Sequence, residues 1–404
     1  MAIAIANLQL LKMEAESAFC AENAVHSWFE IPAIEPELTR GQQVHERAER
    51  IQRLTMKQGL VLGAIRDSRL AFRRYLVGDG DALNTGAVPA DDGTHLLLET
   101  AMGGGYSAAG STILGAGATT TVLPVQVGHG ARFRAGTAVM VEGTASDGTN
   151  EISVIQSVAG DSITLEYALS TAPADGESVW NSYTTYIDPS ATATLQAQLL
   201  GEVAADQWLG LGVYGGFQLQ NLLQLDDVAQ LAFDLAVSKW EADTGTLAAG
   251  SYDGASPLGT NQDLQIQWQV HGTTTRNLIS LSQLDVDPGI TWTPLYARGN
   301  ADKEHVDRVR MTACRPTATF TADVDSAFQT VFAAQTYQLL SIMFGRTPGS
   351  SWCVCIPRAK IAQVPARGIH AEQTATQVNL IACENDSDDA STALMRSPIF
   401  ISRI

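Results

Sequence analysis

At 404 residues the chain is long enough for two or three domains. Its 45% hydrophobic content argues against long disorder, and its net charge of -18 argues against nucleic-acid binding through a basic face. No apolar run reaches the roughly 18 residues of a membrane span, so no membrane insertion is expected.

Met1 to Leu11 lacks a basic region and a clear cleavage site, so no signal peptide is read. Val44 to Tyr75 gathers basic residues: Arg47, Arg50, Arg53, Lys57, Arg66, Arg69, Arg73 and Arg74. Glu46, Glu49 and Asp67 are interleaved with them, which favours a solvated or subunit-facing strand pair over a nucleic-acid patch. Gly59 and Gly63 fit a bend there, although Glu46 to Met56 also reads as a helix. Gly78 to Gly93 is a long loop with an acidic tip at Asp79, Asp81, Asp91 and Asp92. His95 to Met102 reads as a short helix closed by Gly103-Gly104-Gly105.

From Tyr106 the pattern changes. Thr119 to Gln126, Ala138 to Glu142, Ile152 to Val158 and Ser162 to Tyr167 read as short strands separated by Asp-Gly and Gly-Asp turns. Leu195 to Val237 returns to longer strands. Glu241 to Gly259 is a Gly/Ser/Asp/Pro linker. Leu264 to Val270 alternates strictly, which predicts a half-buried strand. Val324 to Phe344 carries Phe328, Val331, Phe332, Leu339, Leu340 and Met343 at helical spacing, which predicts the clearest helix of the chain.

Signatures of chemistry are sparse. The seven histidines form no H-x-x-x-H or H-E-x-x-H pair. Gly103 to Gly117 lacks the G-K-[ST] of a phosphate loop, and Gly115-Ala116-Gly117 leads into strand-like threonines. No G-x-S-x-G occurs. Glu384 to Asp389 lacks EF-hand spacing and reads as a solvated loop, with adventitious Ca²⁺ as the sharper alternative. The five cysteines have no regular spacing. Cys353 and Cys355 would share one face of a strand, as buried thiols in a reducing compartment. The chain is therefore read as a non-enzyme without a cofactor, although a lone carboxylate pair leaves no local signature.

A faint duplication organises these pieces. Glu49-Arg50-Ile51 and Asp67-Ser68 match Asp307-Arg308-Val309 and Asp325-Ser326 at a constant offset. Leu97-Leu98 with Met102-Gly103 matches Leu339-Leu340 with Met343 and Gly345. Trp208 opens a stretch ending in Phe233-Asp234-Leu235-Ala236-Val237, and Trp352 opens one ending in Val378-Asn379-Leu380-Ile381-Ala382. The β-rich middle falls where the second copy has only Gly345-Arg346-Thr347-Pro348-Gly349. The expected organisation is a discontinuous first unit (1–106 and 189–245), an inserted β-domain (107–188), a linker (246–259) and a second unit (260–404). The insert is expected to be separable, because insertions survive at exposed turns.

Arg315-Pro316-Thr317-Ala318-Thr319-Phe320-Thr321, the helix ending at Leu339-Leu340, Gly345 with Gly349, Ile356-Pro357-Arg358-Ala359-Lys360 and Val364-Pro365 together resemble the tube domain of major tail proteins of long-tailed bacteriophages. Gly210-Leu211-Gly212-Val213-Tyr214 through Phe233-Asp234-Leu235 is similar to the same domain's sheet. The resemblance implies a mainly β fold: two tandem β-sandwich or barrel tube domains, each with a flanking helix, plus the small inserted β-domain. It implies a structural virion protein whose rings stack into a tail tube, a conduit for DNA with an acidic lumen. Two fused domains imply a homotrimeric, pseudo-hexameric ring. The implied partners are the chain itself, a tape-measure protein, tail terminator and tail-tip proteins, and phage DNA in transit without specific binding. The implied location is the virion tail, assembled in the host cytoplasm. Asp79, Asp81, Asp91 and Asp92 are expected to meet arginines between Arg47 and Arg74 of the next ring, foremost Arg47, Arg50, Arg53, Arg66, Arg69 and Arg73. The rival readings are another virion part, such as a tail-tip ring or capsid decoration, and an acidic carbohydrate-active β-protein.

Overall fold

The computed structural model describes residues 10–31, 33–39, 42–47, 59–65, 68–76, 93–107, 110–190, 194–200, 208–220, 222–223, 229–242, 264–295, 306, 308–323, 326–370, 373–384 and 393–404. The protein is mainly β, and no described helix is long and apolar enough to cross a membrane. The chain opens with β1 (Leu10–Ala15), β2 (Phe29–Ile31), β3 (Ile34–Thr39), β4 (Gln42–Arg47), β5 (Gly59–Ile65) and β6 (Ser68–Tyr75). Helix α1 (Thr94–Met102) and β7 (Gly103–Ser107) follow. A run of short strands comes next: β8 (Thr112–Ile113), β9 (Val122–Pro124), β10 (Ala138–Val141), β11 (Glu151–Ala159), β12 (Ser162–Leu165) and β13 (Ser178–Asn181). Then come β14 (Tyr183–Ile187), β15 (Leu195–Leu200), β16 (Trp208–Gln220) and β17 (Gln230–Ala242). The remainder is β18 (Gln265–Val270), β19 (Leu281–Asp287), β20 (Ile290–Leu295), β21 (Arg308–Cys314), β22 (Thr317–Asp323), α2 (Ser326–Ala334), β23 (Gln338–Phe344), β24 (Trp352–Ile361), β25 (Ala366–His370), β26 (Gln373–Ala382), α3 (Ala393–Arg396) and β27 (Phe400–Arg403).

Two stretches have a similar element order, apart from β15, which the first carries between β14 and β16. One goes β3, the two-stranded hairpin β4–β5, β6, α1, β7, and later β14, β16 and β17. The other goes β19, the hairpin β20–β21, β22, α2, β23, β24, β25 and β26. Their strands pair alike: β3–β6–β17–β16 in the first and β19–β22–β26–β25 in the second, all antiparallel. The apolar rows coincide too. Phe72 of β6 lies opposite Phe233 of β17, as Phe320 of β22 lies opposite Val378 of β26. The two units then join edge to edge where Leu219 of β16 pairs with Val286 of β19. One buried cluster runs through both, from Phe72, Phe217 and Phe233 to Trp268, Phe320 and Val378.

The structure corrects several expectations. The helix predicted over Val324–Phe344 stops at Ala334, and Gln338–Phe344 is a strand. Gln335 takes a left-handed φ of 54°, which ends the helix. Every residue of β23 is buried, so the strand has no exposed face to mark its period. Leu340, Ile342 and Phe344 enter the main core, while Leu339 and Met343 enter a second one. Leu97 and Leu98 lie in α1 but Leu339 and Leu340 in a strand, so that pair of blocks does not correspond. Ser68 opens β6 whereas Ser326 opens α2, so that pair does not correspond either. The final blocks both fall in strands, β17 and β26. Strand β18 is not half-buried: Gln267 and Gln269 are as buried as Ile266 and Trp268.

The inserted strands form their own six-stranded sheet, in the order β8–β13–β10–β11–β12–β9, over an interior of Leu123, Phe133, Val139, Val141, Ile155 and Ile163. The insert is not a loosely attached decoration. Ala138, Met140, Ile152, Val154 and Tyr167 pack against Leu339, Met343, Cys353, Cys355, Phe400 and Ile404. Tyr167 Oη lies 3.2 Å from Ser341 Oγ, and Gln269 Nε2 donates to the Glu166 carbonyl at 2.9 Å. Arg276 forms an ion pair with the fully buried carboxylate of Glu151. Strand β27 lies between β14 and β24, pairing Tyr183 and Trp352 on either side of Arg403.

Candidate assembly surfaces

The sheet of the joined units has two unlike faces. On β6 the alternation puts Ser68, Leu70 and Phe72 inward and leaves Arg69 and Tyr75 exposed. The inward face is closed by the apolar cluster that includes Leu97 and Leu98 of α1 and Phe328 of α2. The opposite face is polar. It presents Arg69, Asp234, Gln218, Asp285 and Thr319, and a groove of about 250 Å³ runs along it between Gln218, Gln220, Asp285, Asp287, Thr317 and Thr319.

Of the predicted contact residues, two have described side chains. Arg69 Nη1 lies 3.2 Å from Asp234 Oδ2 on β17, and Arg73 pairs with Glu35 on β3. These cations therefore neutralise acids of neighbouring strands in the same chain. Both pairs are largely exposed, where such pairs contribute about 0–1 kcal/mol. Arg47 closes β4, opposite Gly59. Asp79, Asp81, Asp91, Asp92, Arg50, Arg53 and Arg66 lie outside the described residues, as do most of the 78–93 loop and the 246–259 linker.

Pattern reading did not find the two sheet ends. Among the described residues, β3 is hydrogen-bonded to β6 alone and β25 to β26 alone, so each offers an edge there. Strand β3 carries devices that keep such an edge from pairing at random: Pro36 lacks an N–H, and Glu35, at φ 50°, sits in a register shift between Ile34 and Glu37. Its counterpart β19 has a register shift near its own start, between Leu281 and Gln283, and still pairs with β16.

The titratable groups are tuned by burial. Burial pushes the Cys314 and Cys353 thiols up to about 12 and Cys355 well above its usual range, so none is a thiolate nucleophile at neutral pH. Burial also lifts the carboxyls of Glu99 and Glu166 to about 7. Glu14 is buried and holds the 16–28 loop: His26 Nδ1 lies 2.7 Å from its Oε1, and the Ser27 N–H donates to its Oε2. Glu16 accepts from Thr194 Oγ1, just before β15, at 2.6 Å, and burial raises its carboxyl. These contacts fasten a loop to β15 and β16. A cavity of about 570 Å³ is lined by Asp188, Met311, Cys314, Glu384, Arg396 and Ser397, with no histidine among its lining residues. Among the described residues, no group of three His, Cys, Asp or Glu side chains is placed to hold a metal ion.

No protein-family model matches the chain, and no curated protein matches it at a significant level.

Proposed function

We propose that this chain is the ring-forming subunit of a bacteriophage tail tube, built from two tube domains in tandem with a β-domain inserted in the first. The observation that carries the reading is the joint between Leu219 and Val286. There, β16, whose first half carries β15, adds its far end to the β19 edge of a second unit with a similar strand order. The free β25 and β3 edges are the corresponding strands of the outer ends. The same joint made between chains, near Arg367 and Leu38, continues the sheet from copy to copy. Such a heterologous joint closes into a ring when the rotation allows it, and closure removes the exposed edges. A six-unit ring then takes three chains.

The faces support the same orientation. The inward face is closed by the main core and its helices, so the part of the polar face that the β20–β21 hairpin leaves open is the one left to line the bore. Asp234 and Asp285 on it, with the net charge of -18, suit a channel that passes phosphate without retaining it. In this reading the rings stack around a tape-measure protein in the virion tail after assembly in the host cytoplasm. Tail terminator and tail-tip proteins cap the two ends.

Native mass spectrometry and negative-stain microscopy of the purified protein test the proposal. Three-chain rings, free or stacked, are the expected outcome. Six-chain rings would refute the pairing of two tube units per chain, and monomers at every concentration would refute the assembly itself.

A further inference from the structure

The in-chain joint has a second component besides the strand edges. The hairpin β20–β21 of the second unit lies across the polar face of the first, beyond the groove described above. Val309 and Trp292 of the hairpin, with Val306 just before it, pack on Tyr214 of β16 and Ala236 of β17. Gly216 sits beneath Ile290: a Cβ there would lie 3.9 Å from the Ile290 Cβ. Tyr214 and Val309 are thereby buried to 7% and 2% exposure.

The first unit carries the equivalent hairpin, β4–β5, at the equivalent place in its element order. Both hairpins form separate two-stranded sheets, and both have a register shift at the start of their first strand, between Gln42 and Val44 and between Thr291 and Trp292. The β5 sequence is the more apolar: Leu60, Val61, Leu62, Ala64 and Ile65. Superposing the paired rows Phe72–Phe233 and Phe320–Val378 sets Ala236 against Ile381 and Ala232 against Gln377. Gln218 pairs with Ala232 and Ala366 with Gln377, so the counterpart of Gly216 falls in the bend 362–365, where the Ala362 N–H donates to the Asn379 carbonyl and Val364 points clear of the sheet. Gly216 is covered by Ile290, but Val364 is 66% exposed.

We infer that the β4–β5 hairpin is an arm that packs across the β25–β26 face of a second copy of this chain, over Val364 and Ile381, as β20–β21 packs over Gly216 and Ala236 within the chain. The inference rests on the ring reading and deepens it. The β3 edge and the adjacent hairpin of one chain engage the same unit of the next, so each interchain joint has a hydrogen-bonded part and an apolar part. The apolar part fixes which copy and which register the edge accepts.

The test is Val364→Asp, with Val127→Asp as control, since Val127 is 89% exposed on the inserted domain. Both variants should melt as the wild-type monomer does, because neither position is buried in the chain. Val364→Asp should raise the concentration needed for ring assembly by about tenfold or more, and Val127→Asp should not; about tenfold corresponds to 1.4 kcal/mol. Hydrogen–deuterium exchange across residues 59–65 should slow on assembly of the wild type. Rings of Val364→Asp at wild-type concentrations, or unchanged exchange at 59–65, would overturn the arm and leave the ring standing. Failure of the wild type to form rings at all would overturn both.

Discussion

Glu166 is the residue whose environment makes the sharpest demand. It is 6% exposed, and its Oε2 has no hydrogen-bond partner among the described residues. Desolvation lifts its carboxyl to about 7 from its ordinary 4.5. The folded state thus holds a proton that the unfolded chain releases near pH 4.5. Stability conferred by the neutral acid is fully present below that pH and is lost as pH rises to about 7, after which the penalty is constant. The shift corresponds to about 3 kcal/mol. Glu166→Gln should therefore leave urea stability near pH 4 almost unchanged and raise it by about 2–3 kcal/mol at pH 8. Equal effects at both pH values would show that the carboxyl is not held neutral. Arg276 is a second case at the same seam. Arg276→Ala strands the buried Glu151 carboxylate, and such a change costs about 3–5 kcal/mol. Glu151 keeps bonds from the Ser170 N–H at 2.7 Å and from Ser170 Oγ at 3.0 Å, so the lower end is expected in equilibrium unfolding. Neither seam residue stands out in the sequence, because Arg276 meets Glu151 from 125 positions away and Glu166 is buried by strands distant in the chain.

Among the elements, legibility followed the number of buried faces. The helix at His95–Met102 was readable because Gly103, at φ 93°, terminates it where a Cβ would strike the Asp188 carbonyl. The inserted strands were readable because Asp-Gly and Gly-Asp turns separate them. Strands β23 and β24 were not readable as half-buried strands, because each is sandwiched between two cores. In β24, Trp352, Val354 and Ile356 serve the main core, while Cys353 and Cys355 meet the insert. The shared face of the two cysteines was legible, but the second core that occupies it was not. Replacing residues 112–181 by a short turn would uncover Leu339, Met343, Cys353, Cys355, Phe400 and Ile404 together. Loss of soluble protein is the expected result. A soluble shortened chain with wild-type melting would show that the seat is not needed. The finer probe is Tyr167→Ala, which leaves a cavity at full burial and should cost about 3–5 kcal/mol in thermal or urea unfolding.

For the whole molecule, composition carried only the coarse class and the charge. The matched blocks fall in strands at β17 and β26, each of which keeps an apolar row against the core. The duplication was misplaced elsewhere, because loops and helices of unequal length shift the offset between units. The sheet ends were invisible because an edge is defined by the strand that is not beside it. Charge placement gives a test at this scale. If the polar face lines a bore, Asp234→Lys with Asp285→Lys should leave ring formation intact, since both are exposed. The variant tubes should retain double-stranded DNA in co-sedimentation at low salt and release it as salt rises, through counterion release. Wild-type tubes should retain none. Equal behaviour of the two would place those aspartates off the DNA path.

Strand β27 also sets a schedule. It is translated after both of the strands it separates, and it supplies Phe400 to the seat of the insert. At about 5–20 residues per second, the ribosome takes tens of seconds to deliver residues 183 to 400. Throughout that interval, Thr184 waits for the Ser402 hydroxyl that it will meet at 2.7 Å. A nascent chain therefore keeps its two halves unlocked until β27 emerges. Polysomes translating this message would hold many such half-finished chains close to one another. Late closure by β27 makes translation through Arg403 the gate through which the two halves lock together.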